Sequence, residues 1–332
     1  MRIAISINGQ GRGHLTRMTA LGKRLAAEYE LVFWCPEKYH PFLKNNFPNS
    51  YIFPIPYYKF VLEGPKIDIF KTGLINAEHI MGLPRYTIDL MDQLTLMNIQ
   101  LVISDFEPFL PKAARKAGLP VIQLNHPAVV LRSKALTPEA LLSKIVATSM
   151  MGEYDTCIVS SFYNGDVGPI IREEIRNAVS STGDYYLVYL YHTMAMSVIE
   201  ELDTIPGIRY RIFPNPVDDF VTALSGCMGV ITNAGHQLLS EALHLEKPIL
   251  AIPMEGQFEQ KLNAEMLKQS GRGVTGRMST IKASLEDFFD FVEMFNPVNP
   301  PASPGICFCL RDDSVNAASM IDSQLYRYKA VS

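Results

Sequence analysis

The stretch Thr232–Leu267, TNAGHQLLSEALHLEKPILAIPMEGQFEQKLNAEML, constrains the fold most, because it compresses strand, turn, helix, strand and helix into one unit. Met228–Thr232 is apolar and short, as a buried strand is, and Asn233-Ala234-Gly235-His236 supplies the turn after it. Gln237–Leu245 places Leu239, Ala242 and Leu243 on one helical side, with Gln237, Ser240, Glu241 and His244 on the other. Pro248–Pro253 reads as the next buried strand, and Phe258–Ser270 as a helix closed by Gly271.

A helix that starts at a glycine turn just past a strand leaves free N–H groups and a positive dipole end, which suits a phosphate. Gly235 lets a ligand come close to the backbone, and Glu241, one turn further in, has the chemistry to accept from ribose hydroxyls. An ordinary strand-to-helix turn with a solvated polar face is the plain alternative. Glu259-Gln260-x-x-Asn263-Ala264 tips the balance, since it follows the next strand and so falls at the same carboxyl edge of the sheet.

These residues resemble the donor-binding signature of the GT-B glycosyltransferases that use nucleotide sugars, in particular the peptidoglycan N-acetylglucosaminyltransferase group, glycosyltransferase family 28. The resemblance rests on Gly235, Glu241, Glu259, Gln260 and Asn263, which match in order and spacing. It implies that the turn Asn233–His236 holds the diphosphate, that Glu241 holds the ribose, and that Glu259, Gln260 and Asn263 touch the sugar. Many relatives carry His where Asn233 stands and Asp where Glu259 stands. The fold implied is GT-B, two Rossmann-like doubly wound parallel-sheet domains facing across a cleft.

Composition narrows the class without identifying a ligand. The 332 residues are 48% hydrophobic and 19% charged, enough for two cores and hence two domains. A net charge of −4 gives no general attraction to nucleic acid. Five cysteines, three of them in apolar or small-residue runs, read as reduced core residues of a cytoplasmic protein. MRIAISI leads straight into a strand without a signal-peptide layout, and no run reaches the ~18 apolar residues of a membrane span.

The first strand, Arg2–Ile7, leads into Asn8-Gly9-Gln10-Gly11-Arg12-Gly13-His14 and then a helix carrying Leu15, Met18, Leu21 and Leu25. A dinucleotide site does not fit, because the third glycine comes one position early and the next strand ends Trp34-Cys35-Pro36 rather than in an acid. A P-loop lacks its Gly-Lys-Ser/Thr. The run Gly9–Arg17 resembles the family's N-terminal glycine loop, where Gly9, Gly11 and Gly13 would let acceptor and phosphates approach. His14 is then the candidate general base; a histidine bonded to local backbone at a helix start is the other reading.

Strand and helix alternate from Leu31 to Ser160, as in a doubly wound parallel sheet, with one long helix expected over Ile75–Met97. Tyr57–Gly73 breaks the pattern and mixes aromatics with Lys59, Lys66 and Lys71. In the family such insertions line the acceptor cleft and, in lipid-using members, touch membranes; a hydrophobic loop tucked on the core is equally compatible.

Asp105 follows an apolar strand directly and, by resemblance, orients the base, with Glu107 as its substitute; a carboxylate capping the helix at Pro108 is the alternative. Asp105-x-Glu107 is the nearest thing to a metal-binding pair, and no essential metal or cofactor is expected. Asn125-His126-Pro127 offers an acceptor contact or simply a turn. Val167–Arg172 resembles the family's interdomain segment, in which Arg172 would reach the diphosphate; otherwise Arg172 is a surface cation. Backbone around Phe213 would read a pyrimidine edge, as the family's equivalent loop does.

The domains expected are 1–170 on the acceptor side, a linker over 171–184 and a donor domain over 185–310. Asn296–Gly305, with four prolines, would form a rigid connector to a last helix in 311–332 that, by resemblance, packs back on the first domain. The implied reaction is metal-independent, inverting transfer of a hexose from a UDP-sugar to an acceptor hydroxyl of a glycolipid, a cell-envelope precursor or a small molecule. Alternatives are a non-hydrolysing UDP-sugar 2-epimerase, which would carry Asp-Ser-Gly-Gly at the phosphate turn, and a nucleotide-sugar-binding protein without a working base.

Overall fold

The structure is a computed structural model that describes residues 1–63, 66–296 and 306–331. Strand β1 (Arg2–Ile7) enters the glycine loop and helix α1 (Gly13–Leu25). Then come β2 (Glu30–Cys35), α2 (His40–Asn46), β3 (Tyr51–Pro54) and an antiparallel pair, β4 (Leu62–Glu63) with β5 (Lys66–Ile67). Helices α3 (Ile69–Met81) and α4 (Leu83–Leu96) precede β6 (Leu101–Asp105), α5 (Phe109–Lys116), β7 (Val121–Asn125), α6 (Val129–Arg132), α7 (Pro138–Met151) and β8 (Thr156–Val159).

The second half begins with α8 (Glu173–Arg176), β9 (Tyr186–Tyr189), α9 (His192–Asp203), β10 (Tyr210–Phe213) and α10 (Phe220–Gly226). It continues with β11 (Gly229–Thr232), α11 (His236–His244), β12 (Ile249–Ala251), α12 (Phe258–Gln269), β13 (Gly273–Thr275), α13 (Ile281–Met294) and α14 (Ser314–Val331).

These strands form two parallel sheets, in the orders β3-β2-β1-β6-β7-β8 and β10-β9-β11-β12-β13. Both have helices on each face, so their central strands read as unbroken apolar runs. In the first sheet Ile3, Ile5 and Ile7 point to one face, with Met18 and Leu21 of α1, while Ala4, Val32 and Val102 point to the other, with Leu90 and Leu94 of α4. Helix α14 lies on the α1 face: Ala317, Ile321 and Leu325 are buried there, and Tyr29 Oη donates to Asp322 Oδ1 at 2.8 Å. A third cluster crosses between the halves, joining Ala128, Val129 and Phe162 to Leu239, Ala242 and Ala264.

The helix expected over Ile75–Met97 is two helices, and it starts earlier. Asp68 caps α3 by accepting from the Lys71 N–H at 2.9 Å. Gly82 ends it, and Pro84, which has no N–H to donate, belongs to the first turn of α4. The proline-rich connector falls on residues 297–305, outside the described residues. Among the described residues no helix is long and apolar enough to cross a membrane.

Candidate functional site

In both sheets the functional side chains sit past the carboxyl ends of the strands, where an open α/β sheet leaves its crevice. The glycine loop after β1 is held from below: Lys38 Nζ donates to the Gly9 carbonyl at 2.8 Å and lies over the Tyr57 ring, and Tyr39 Oη donates to the Gly11 carbonyl at 2.5 Å. Gly9 is required by contact, because a Cβ there would run into the Tyr57 ring. Gly11 is required by conformation, at φ +70°. Gly13 brings the two halves together: a Cβ on it would stand 3.0 Å from Cβ of Gln237 on α11.

His14 lies in the first turn of α1, with its Nδ1 3.0 Å from Oδ1 of Asp105, the last residue of β6. Asp105 is fully buried, and two donor groups of Arg17 also reach it: Nε to Oδ2 at 3.1 Å, and Nη2 to Oδ1 at 2.7 Å and to Oδ2 at 2.9 Å. Burial works to raise the Asp105 pKa, but the Arg17 guanidinium and His14 outweigh it and hold the carboxyl below its ordinary range. Arg17 escapes sequence reading because a lone arginine on an apolar helix normally passes as a surface residue with a buried stem. Its one signal is its place three residues after His14.

Asp105 and Glu107 have separate tasks. Glu107 accepts from the N–H groups of Phe109 at 2.6 Å and Leu110 at 2.9 Å, capping α5, and burial pushes its pKa up to about 7. Between them Phe106 adopts φ +56°, unusual for a bulky residue, with its carbonyl held by Asn8 Nδ2 at 2.5 Å. The two carboxylates therefore do not make a metal pair, and among the described residues no group of three or more His, Cys, Asp or Glu side chains is placed to hold a metal ion.

On the opposite sheet, Gly235 caps α11 without any side chain bonding the helix start, and nothing stands within 4 Å of where its Cβ would be. The first-turn N–H groups of α11 are thus free of any side-chain cap. The neighbours expected on the diphosphate are engaged inside the protein. Asn233 Oδ1 accepts from the Tyr191 N–H at 2.9 Å and its Nδ2 donates to the Ile252 carbonyl at 3.1 Å, tying β11 to the ends of β9 and β12. The His236 ring turns toward the first half, where its Nε2 accepts from the Phe162 N–H at 3.3 Å.

Glu241 is buried and paired. Its Oε2 accepts from Arg172 Nη2 at 2.8 Å and its Oε1 from Gln237 Nε2 at 3.3 Å, while the Arg172 guanidinium lies over Phe220 at 5.1 Å. The residues expected on ribose and diphosphate therefore pair with each other here. Phe213 ends the edge strand β10 with its ring buried edge-on against Phe220.

At the start of α12, Glu259 keeps a third of its side chain exposed, and burial raises its pKa against the pull of His14 and Arg17. Gln260 accepts through Oε1 from the Met254 N–H at 2.9 Å. Asn263, expected on sugar hydroxyls, is fully buried with both amide ends occupied: Oδ1 accepts from Tyr163 Oη at 2.7 Å and from His126 Nε2 at 2.8 Å, and Nδ2 donates to the Ala234 carbonyl at 3.0 Å. Asn263 thus fastens the two halves together. The sequence gives the spacing of this motif but not the partner across the interface.

Asn125-His126-Pro127 forms a turn, with Asn125 Oδ1 accepting from the Ala128 N–H at 2.9 Å, and it sends His126 across to Asn263. His126 stacks on His236 with centroids 3.6 Å apart and planes 14° from parallel. Burial depresses the pKa of both imidazoles, that of His126 to about 3 from 6.5. Folded His126 stays neutral where the unfolded chain takes up a proton, so stability is lost as pH falls below 6.5. The loss from His126 amounts to about 2 kcal/mol between pH 7 and pH 5. Thermal melts at the two pH values should therefore show a steeper loss for wild type than for His126→Gln, which keeps a donor toward Asn263 but does not titrate. Equal losses would remove His126 as the cause.

The family model for Glycosyl transferase family 1 matches residues 1–293. An uncharacterized glycosyltransferase of Methanosarcina acetivorans is 24% identical over 335 residues, covering 82% of this chain and 85% of the relative. Among solved structures, the kitacinnamycin glycotransferase superposes with a TM-score of 0.60 at 14% identity, covering 97% of this chain and 98% of its own. Acinetobacter baumannii MurG gives 0.57 at 14%, covering 97% and 99%. The Streptomyces sp. SF2575 glycosyltransferase SsfS6, complexed with thymidine diphosphate, gives 0.57 at 13%, covering 97% and 99%. With two helix-flanked parallel sheets and a family match over most of its length, the chain belongs to the glycosyl transferase family 1 and is a glycosyltransferase of the GT-B fold.

Proposed function

We propose that this chain transfers a hexose from a UDP-sugar to an acceptor hydroxyl, with inversion and without a metal, in the manner of the family 28 enzymes to which its donor motif is similar. One observation carries the reading: the His14–Asp105 pair and the uncapped start of α11 lie on facing strand ends, joined where Gly13 meets Gln237. His14 donates Nδ1–H to Asp105, which leaves the Nε2 lone pair to act as base.

The acceptor O–H gives its proton to Nε2, the acceptor oxygen bonds the anomeric carbon, and the bond from that carbon to the diphosphate oxygen breaks. A single in-line displacement inverts the centre. The departing charge is received by the first-turn N–H groups of α11, with Arg172 turning to it from Glu241 and Glu241 then accepting from the ribose. Glu259 and Gln260 orient the hexose, and the backbone at Phe213 meets the base. Asn233 and Asn263 support this site by holding its walls.

Acinetobacter MurG among the structural neighbours supports the family 28 reading, and a neighbour that binds thymidine diphosphate makes that nucleotide the competitor to test. Phe70, Leu74 and Met81, exposed on α3, support an apolar acceptor or a peripheral membrane contact.

Calorimetry with UDP, GDP and TDP tests the donor, and UDP should bind at least about tenfold tighter than GDP. No binding by any of the three overturns the reading, and preference for TDP reassigns the nucleotide. A donor panel read by hydrolysis, with and without EDTA, should give the same rate in both. Loss of rate with EDTA removes the metal-independent mechanism, and UDP-sugar isomerised without an acceptor turns the assignment to an epimerase.

A further inference from the structure

Arg17 is the side chain for which the proposed reaction gives no reason. It is 2% exposed, on α1 one turn past His14 and among the core residues Leu15, Met18 and Leu21. An arginine taken out of water requires a partner, and Asp105 supplies both oxygens. The same Nη2 also stands 3.1 Å from Nδ1 of His14. A guanidinium has no lone pair to offer and keeps its proton, so that ring nitrogen either donates to Asp105 or accepts from Arg17. Both Nη2 contacts to the carboxylate, at 2.7 and 2.9 Å, are shorter than the one to the ring, and Nδ1 of His14 stands 3.0 Å from Oδ1, within reach to donate to it.

We propose that Arg17 is a positioning residue that sets both the tautomer and the working pH range of the base. By fixing Asp105 as an anion it keeps the proton of neutral His14 on Nδ1, with the Nε2 lone pair free. By standing as a cation beside the ring it opposes a second proton before the acceptor arrives.

The other groups within electrostatic reach are Asp105 from β6, Glu259 from α12, and the neutral imidazoles of His126 after β7 and His236 on α11. Removing Arg17 takes away the cation 3.1 Å from the His14 ring and leaves the Asp105 and Glu259 carboxyl groups. Protonation of the ring then becomes easier, and the acid limb of the rate profile moves to higher pH.

The inference rests on His14 being the base, and its test reads the two apart. Two-bond proton–nitrogen spectra of the full chain report the His14 tautomer directly, and the pH profile of kcat/KM reports the limb. In Arg17→Gln the acid limb should rise by one pH unit or more, whereas Arg17→Lys, which keeps the charge, should hold it within about half a unit of wild type. A folded Arg17→Gln with the wild-type limb and tautomer overturns the proposal. So does a wild-type spectrum with the proton of neutral His14 on Nε2, whether or not either variant folds. Wild-type turnover in His14→Ala removes the base assignment alone, since the tautomer is read without catalysis.

Discussion

Replacing His14 by alanine lowers kcat by about 10²–10⁴-fold, the range a positioned general base supplies, and leaves UDP affinity within about twofold of wild type. The separation follows from where the groups stand. His14 and its partner Asp105 belong to the first sheet, at the start of α1 and the end of β6. The N–H groups proposed to hold the diphosphate belong to α11 in the second sheet. Truncating the ring removes a side chain that packs beside Phe106 at 6.4 Å, and it leaves the ion pair of Arg17 with Asp105 intact, so the buried carboxylate keeps a counter-charge. Steady-state rates with a saturating donor, set beside calorimetry of UDP on the same preparation, check both halves of the expectation. Turnover near wild type would take His14 out of the mechanism, and a matching loss of UDP affinity would make it a binding residue instead.

The two sheets were legible in the sequence because apolar runs bounded by turn residues report local geometry, and a parallel sheet is built from such repeats. The glycine loop and the Gly235 turn were legible for the same reason, since each is a strand end followed by a helix start. What escaped was the pairing of polar groups between segments far apart in sequence. Gln237, Ser240 and Glu241 look like a solvated helical face, yet all three are buried, because α11 lies against the first half rather than against water. Glu241 is separated from Arg172 by 69 positions, and Asn263 from His126 by 137, distances over which no periodicity speaks. Asn233 was misleading in another way: a short polar side chain in a turn beside a glycine has the chemistry of a phosphate ligand and equally that of a backbone staple, and here it makes the staple. Asp105 and Glu107 were indistinguishable as neighbours on a loop, and only the cap on α5 separates their roles.

Gly235→Val should weaken UDP binding by about 10²-fold or more without unfolding the protein. Gly235 adopts φ −74° and ψ 125°, an extended conformation that a β-branched residue favours, and a Cβ there meets nothing within 4 Å. The added Cβ therefore brings neither backbone strain nor a clash within the fold. The isopropyl group instead stands in the open space before the first turn of α11. It would displace a diphosphate from at least two N–H donors, and hydrogen bonds to a charged group contribute about 1.5–3 kcal/mol each. At about 1.4 kcal/mol per tenfold in affinity, loss of two such bonds accounts for the expected effect. Gly235→Ala, with one methyl in the same space, should fall between wild type and valine. Melting temperatures of the three proteins, measured without nucleotide, should agree within a few degrees, so that lost binding cannot be ascribed to lost structure. Wild-type UDP affinity in a folded Gly235→Val protein would mean that the diphosphate rests elsewhere. The in-line arrangement with His14 would then have no leaving-group site on this side of the cleft.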